Sequence, residues 1–185
     1  MKSLGETTLR YALVNVTIRL LVWVLPVFLY LIYVDGLNPI EYLRLRKNWQ
    51  RGLIIGIVLS VINFLGSMAR FGIPHLSAAS FTWNSIISTS FLIGFVEEIP
   101  YRGFMLQKFT ERFGFWIAAL ISSILFLSIH LPGWISLKLF RVGTAISVFV
   151  FGAVMALVFR YGKSLWGPII VHSTNDFIAL VIFHL

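Results

Sequence analysis

Charge-free apolar runs, separated by short polar or basic breaks, make up most of this chain. They are Leu20 to Val34, Gly52 to Ala69, Phe71 to Val96 with His75 near its start, Phe113 to Leu137, Val142 to Phe159, and Ser164 to Val171, which resumes after Asp176. Crossing the hydrocarbon takes about 20 apolar residues on a helix, or fewer when flanking side chains snorkel. The pattern therefore predicts an all-α, polytopic transmembrane helical bundle of about six spans. The first covers roughly Tyr11 to Val34, with Arg19 as its one charge and a kink expected at Pro26. Asp35-Gly36 predicts a turn, followed by a short basic amphipathic segment to Arg51 that lies on the membrane surface and acts as a connector. Small residues Gly143, Ser147, Gly152 and Ala156 suit close helix approach in span five. Trp166-Gly167-Pro168 reads as the opening of span six.

Composition agrees with that solvent. The chain is 58% hydrophobic and 12% charged, with mean hydropathy +0.90, whereas about a quarter of residues are charged in a soluble domain. The amino terminus lacks a small-residue cleavage site after its apolar run, so span one is expected to be retained. No linker or internal repeat divides residues 1–185, which read as one integral-membrane domain. The missing repeat weighs against a secondary transporter. With no cysteine, disulfides and thiolate metal sites are excluded, and any metal needs nitrogen and oxygen ligands. The 15 basic residues lie mainly between spans, which speaks for positive-inside bias and against nucleic acid as a partner. Arg44, Arg46, Lys47, Arg51, Lys108, Arg112, Arg160 and Lys163 fall on one predicted side; Lys2, Arg10, Arg70, Lys138 and Arg141 fall on the other. The first side is expected to be cytoplasmic, with both termini outside.

Chemistry concentrates in a few polar residues set in apolar sequence. An ionised side chain inside a bilayer is expensive and is usually there for function. FLIGFVEEIPYRGF places Glu97, Glu98 and Arg102 in such a run. At i,i+4, Glu98 and Arg102 share a helix face and are expected to form a structural ion pair, while Glu97 points about 100° away and stays free. Pro100 threatens that pair by kinking the helix. If Gly114 is a hairpin turn, Glu97 and His130 both lie roughly 24 to 26 Å from it and are level. Pro132-Gly133 is expected to stop the second helix just beyond His130. On span six, His172 and Asp176 share a face, with Asn175 adjacent.

One carboxylate and two imidazoles, Glu97, His130 and His172, suit activation of a water molecule, with Asp176 and Asn175 as partners behind them. Hydrolysis is the expected reaction. The same three residues match the three-ligand plan of catalytic zinc, so they admit a divalent metal without requiring one. Ser128 and Ser173 lie in no nucleophile elbow. His75 and His184, near predicted span ends, are given no role. Two other classes fit buried acids and histidines: a proton-coupled carrier, and a membrane protein that binds without cleaving.

At these residues the chain resembles the CPBP family, the membrane-embedded CAAX prenyl proteases and bacteriocin-processing or immunity proteins also called the Abi group. The family pattern of EExxxR, FxxxH, and His followed four residues later by Asn or Asp is met by Glu97-Glu98 with Arg102, Phe126 with His130, and His172 with Asp176. The motif-bearing core is about residues 85–185. The resemblance implies an intramembrane endopeptidase of the cell membrane, acting on peptides or lipidated, CAAX-type or bacteriocin-type proteins. In it the residue matching Glu97 activates water with that matching His130, and His172 and Asp176 stabilise the oxyanion or place the second imidazole. Both metal-dependent and glutamate-dependent mechanisms are proposed for the group. Asp176 departs from the commoner Asn. The alternative that the resemblance carries is a non-proteolytic bacteriocin self-immunity or adaptor protein of the same fold.

Overall fold

The computed structural model describes residues 8–74 and 80–184, and every long element among them is a helix. His75, near the start of the third apolar run, and Lys2 lie outside the described residues. We number the helices α1 (Leu9–Tyr33), α2 (Pro39–Tyr42), α3 (Trp49–Phe71), α4 (84–113), α5 (Phe115–Ser136), α6 (Val142–Gly162) and α7 (166–182). Four of them, α1, α3, α5 and α6, are long and apolar enough to cross a membrane. Their outward faces carry large apolar side chains such as Val22, Ile54, Ile57, Trp116 and Ile146, a surface suited to acyl chains rather than water. The other two predicted spans differ for a physical reason. Helix α4 breaks at Leu92 and carries Glu97, Glu98 and Arg102, and α7 is short and carries His172 and Asp176. They hold the polar cargo, and the apolar helices wrap it.

Two prolines sit in or just after widened, π-helical turns. Proline lacks an amide donor and its ring collides with the carbonyl four residues back. Loosening the helix to i→i+5 bonding removes that conflict. Leu20–Val24 is π-helical just ahead of Pro26, and Ile99–Met105 is π-helical around Pro100. Gly114, at φ 77°, makes the tight turn from α4 to α5, a conformation that L side chains disfavour. Pro132 does not end α5. The helix loosens at Ile129 and His130, then resumes from Leu131 to Ser136, because proline is well tolerated in a first helical turn.

The connections before α3, between α4 and α5, and between α6 and α7 meet at one end of the bundle. Lys108 Nζ lies 2.7 Å from Asp35 Oδ2, Gln107 Nε2 donates to the Tyr42 carbonyl at 2.7 Å, and Trp166 Nε1 donates to the Leu45 carbonyl at 2.8 Å. The Tyr42 hydroxyl donates to Glu111 Oε1 at 2.9 Å, and burial followed by that carboxylate pushes its pKa well above the ordinary tyrosine range. At the opposite end, Phe71 meets Phe183 at 5.8 Å between centroids and Asn15 Nδ2 donates to Asn84 Oδ1 at 3.2 Å. Residues 35–51 do not form a continuous surface segment. Between Asp35 and Asn48 only Pro39–Tyr42 is helical, capped by Asn38; left-handed residues Arg44 and Asn48 fold the rest into turns bonded to Lys163 and Ser164 just ahead of α7, and α3 starts at Trp49.

Candidate functional site

Glu98 and Arg102 are fully buried, and their spacing does produce an ion pair, with Arg102 Nη1 3.1 Å from Glu98 Oε1. The π-helical stretch keeps the pair intact where a kink threatened it. Arginine cannot shed its charge, so burial demands fixed partners on every side. Arg102 Nη2 donates to the Gly152 carbonyl at 3.0 Å, and its guanidinium lies 4.4 Å from the centre of the Phe126 ring. The ion pair is not closed, however. His172 Nδ1 lies 2.6 Å from the same Glu98 oxygen, a contact that the i,i+4 reading did not contain. A carboxylate only accepts, so Nδ1–H is the donor and Nε2 is left free.

That nitrogen faces the other acids. His172 Nε2 is 3.8 Å from Glu97 Oε2 and 3.8 Å from Asp176 Oδ2. A cavity of about 340 Å³ opens there, lined by Glu97, His130, His172, Asn175 and Asp176, with Phe126 and Phe151 among its walls. His130 reaches it from α5, with Nδ1 2.9 Å from the Phe126 carbonyl; a carbonyl also only accepts, so this ring too is fixed through Nδ1–H with Nε2 free. Phe126 connects the whole group, since its ring meets His130 at 5.1 Å and His172 at 5.8 Å, both edge-on, while facing Arg102.

Local sequence explains why α4 and α7 come so close. A Cβ on Gly94 would collide with Ser173 Oγ and lie 2.6 Å from the Ile169 carbonyl oxygen. Only glycine admits that approach, and one turn further on it sets Glu97 and Glu98 beside His172. Ser173 donates its hydroxyl to the Phe91 carbonyl at 2.8 Å, and Ser128 donates to the Leu125 carbonyl at 2.7 Å, so both are spent on backbone. The metal set fares differently. Among the described residues no group of three His, Cys, Asp or Glu side chains is gathered as a metal site, although Glu97, His130 and His172 share the cavity wall.

Residues 78–178, more than half of the chain, match the family described as Rce1-like, type II CAAX prenyl endopeptidase. The chain belongs to the Rce1-like family. Neither the curated proteins nor the solved structures compared with it give a match. The Rce1-like region contains every motif residue from Glu97 to Asp176, and with the apolar helices it gives the chain the fold of a membrane-embedded endopeptidase family.

Helix α3 lies outside that region and still reaches the site. Asn63 Nδ2 donates to Asn175 Oδ1 at 3.3 Å, and Asn175 Nδ2 donates to Asp176 Oδ1 at 3.2 Å. Asn175 thus bonds Asp176, its neighbour on the cavity wall. One turn earlier, the hydroxyls of Ser60 and Thr174 lie 2.5 Å apart. Ser147 and Phe151 of α6 also face the cavity, and Phe151 meets the His172 ring at 5.1 Å. In the sequence Asn63 is the one carboxamide in the run Gly52 to Ala69, which was the available signal. The residues of α6 carried none beyond the small-residue pattern.

Proposed function

We propose that this Rce1-like protein is a multi-pass intramembrane endopeptidase of the cell membrane, with Glu97 as general base. The observation that carries the reading is the shared cavity lined by Glu97 and by two imidazoles whose Nδ1–H groups are already committed, with His172 Nε2 3.8 Å from Glu97 Oε2. A water held between Glu97 and His130 gives a proton to the Glu97 carboxylate as its oxygen attacks the scissile carbonyl carbon. The tetrahedral oxyanion then sits at His172, where a proton carried on Nε2 lets the ring donate to it. When the C–N bond breaks, Glu97 passes its proton to the departing amine, which balances the step. Glu98 and Asp176 flank His172, Arg102 holds Glu98 with its guanidinium over the Phe126 ring, and Asn175, itself bonded by Asn63, holds Asp176. The substrate class is a membrane-associated peptide or a prenylated, CAAX-type tail, as the family description suggests. Glu97, His130 and His172 line one cavity, but among the described residues no three His, Asp or Glu side chains are gathered as a metal site, so the proposed step runs through the Glu97 carboxylate.

The test is mass spectrometry of peptides released from a prenylated CAAX peptide by purified protein in detergent, with and without chelator. We expect cleavage that survives chelation. Glu97→Gln should lower the rate by about 10²- to 10⁴-fold, the usual contribution of a general base, with melting unchanged. A folded Glu97→Gln protein of normal activity would remove the mechanism. Substrate protection or binding without any released peptide would instead select the non-cleaving reading.

A further inference from the structure

The end of the bundle where the connections meet contains a second cavity, of about 380 Å³, remote from the acids and histidines. Three cations from two segments line it: Arg44 after α2, and Arg160 and Lys163 at the end of α6. Among the described residues none of the three has a carboxylate within ion-pair distance. Aromatic faces hold the guanidiniums instead. Arg160 lies 4.2 Å from the centre of the Phe115 ring and 5.3 Å from that of Trp116, and Arg44 lies 5.2 Å from that of Phe159. Contact with a ring face leaves the guanidinium N–H groups uncommitted, and paired N–H groups are what grip a phosphate. Glu111 is the one acid on the wall, and it is already engaged by the Tyr42 hydroxyl at 2.9 Å and by Lys108 at 3.9 Å. The cavity therefore carries a net positive charge.

Its position says what kind of anion it meets. Trp116, largely exposed, and Trp166, bonded to the Leu45 carbonyl, lie at this end, and tryptophan concentrates at the headgroup level of bilayers. The floor is apolar, formed by Leu106, Phe115 and Phe159. We propose that this cavity binds the phosphate headgroup of an anionic phospholipid from the adjoining leaflet, with Arg44, Arg160 and Lys163 around the phosphate and the acyl chains running down past Phe115 and Trp116.

Native mass spectrometry of the full-length protein in detergent, titrated with phosphatidylglycerol or phosphatidylcholine of matched chains, tests this. Phosphatidylglycerol should stay bound and phosphatidylcholine should not. Arg44→Gln and Arg160→Gln should each weaken phosphatidylglycerol binding about fivefold, the usual worth of one basic residue at an anionic surface. Arg160→Lys, which keeps the charge, should lose less, and Arg112→Gln, at the same end but outside the cavity, should lose nothing. If Arg160→Gln does not fold, Lys163→Gln provides the same comparison. Equal retention of both lipids, or equal losses in Arg112→Gln and Arg160→Gln, would refute a built site. Displacement of phosphatidylglycerol by millimolar inorganic phosphate would assign the cavity to a soluble anion and overturn the lipid assignment.

Discussion

Glu98 shows how a single buried carboxylate serves two partners. One oxygen accepts from Arg102 and from His172, while Oε2 and Arg102 Nε have no hydrogen-bond partner among the described residues. Charge removal at Glu98 therefore strikes the fold and the site together. We expect Glu98→Gln to lower stability by about 3 kcal/mol, as loss of one member of a buried pair does, and to reduce activity because His172 loses its anchor. Unchanged melting in detergent would show that Arg102 does not depend on Glu98. Asn63 belongs to the same scale. Asn63→Ala should lower kcat roughly tenfold with KM and melting little altered, since a slightly misplaced catalytic group loses rate before the fold loses stability; a normal kcat would remove Asn63 from the site. The i,i+4 pairs, Glu98 with Arg102 and His172 with Asp176, were legible from spacing alone. The Glu98 to His172 bond was not, because it depends on the register of two helices that are 74 residues apart in sequence.

That register is fixed at the level of helices, by backbone contact more than by polar pairing. At Gly94 the neighbour is the Ile169 carbonyl, which cannot rotate away, and Ser173 is held by its own bond to Phe91. Gly94→Ala should therefore push α4 from α7, destabilise by about 1–3 kcal/mol, and depress activity as Glu97 moves off His172. Gly66 in α3 is the counterpart. A Cβ there meets nothing within 4 Å, so Gly66→Ala should raise stability by about 0.5–1 kcal/mol through helix propensity. Thermal melting of both variants checks the contrast, and similar shifts in the two would deny that α4 and α7 touch through Gly94. Hydropathy located the long helices well, since a charge-free run of 20 residues has few other fates. It was weaker for α4 and α7, whose charges interrupt the run, and silent about the π-helical turns, which ease the fit of Pro26 and Pro100 within continuing helices.

At the scale of the molecule, the charge count becomes a spatial fact. Arg44, Arg46, Lys47, Arg51, Lys108, Arg112, Arg160 and Lys163 come from three separate stretches of sequence, and hydrogen bonds between those stretches gather them at one end of the bundle. Arg10, Arg70, Lys138 and Arg141 lie near the ends of α1, α3, α5 and α6 that point the other way. Such asymmetry orients a bundle with its basic end in the cytoplasm. The absence of cysteine allows this to be read without background. Single substitutions Arg46→Cys and Lys138→Cys, both at exposed positions, place one thiol at each end. In intact cells a membrane-impermeant maleimide should label the Lys138→Cys protein and leave Arg46→Cys unlabelled until the cells are opened. The reverse pattern would invert the molecule and move the phosphate-binding cavity to the outer leaflet. The site at Glu97 would keep its geometry in either case, but the pool of peptides able to reach it from the water would change side, so the labelling result also decides where substrates must be sought.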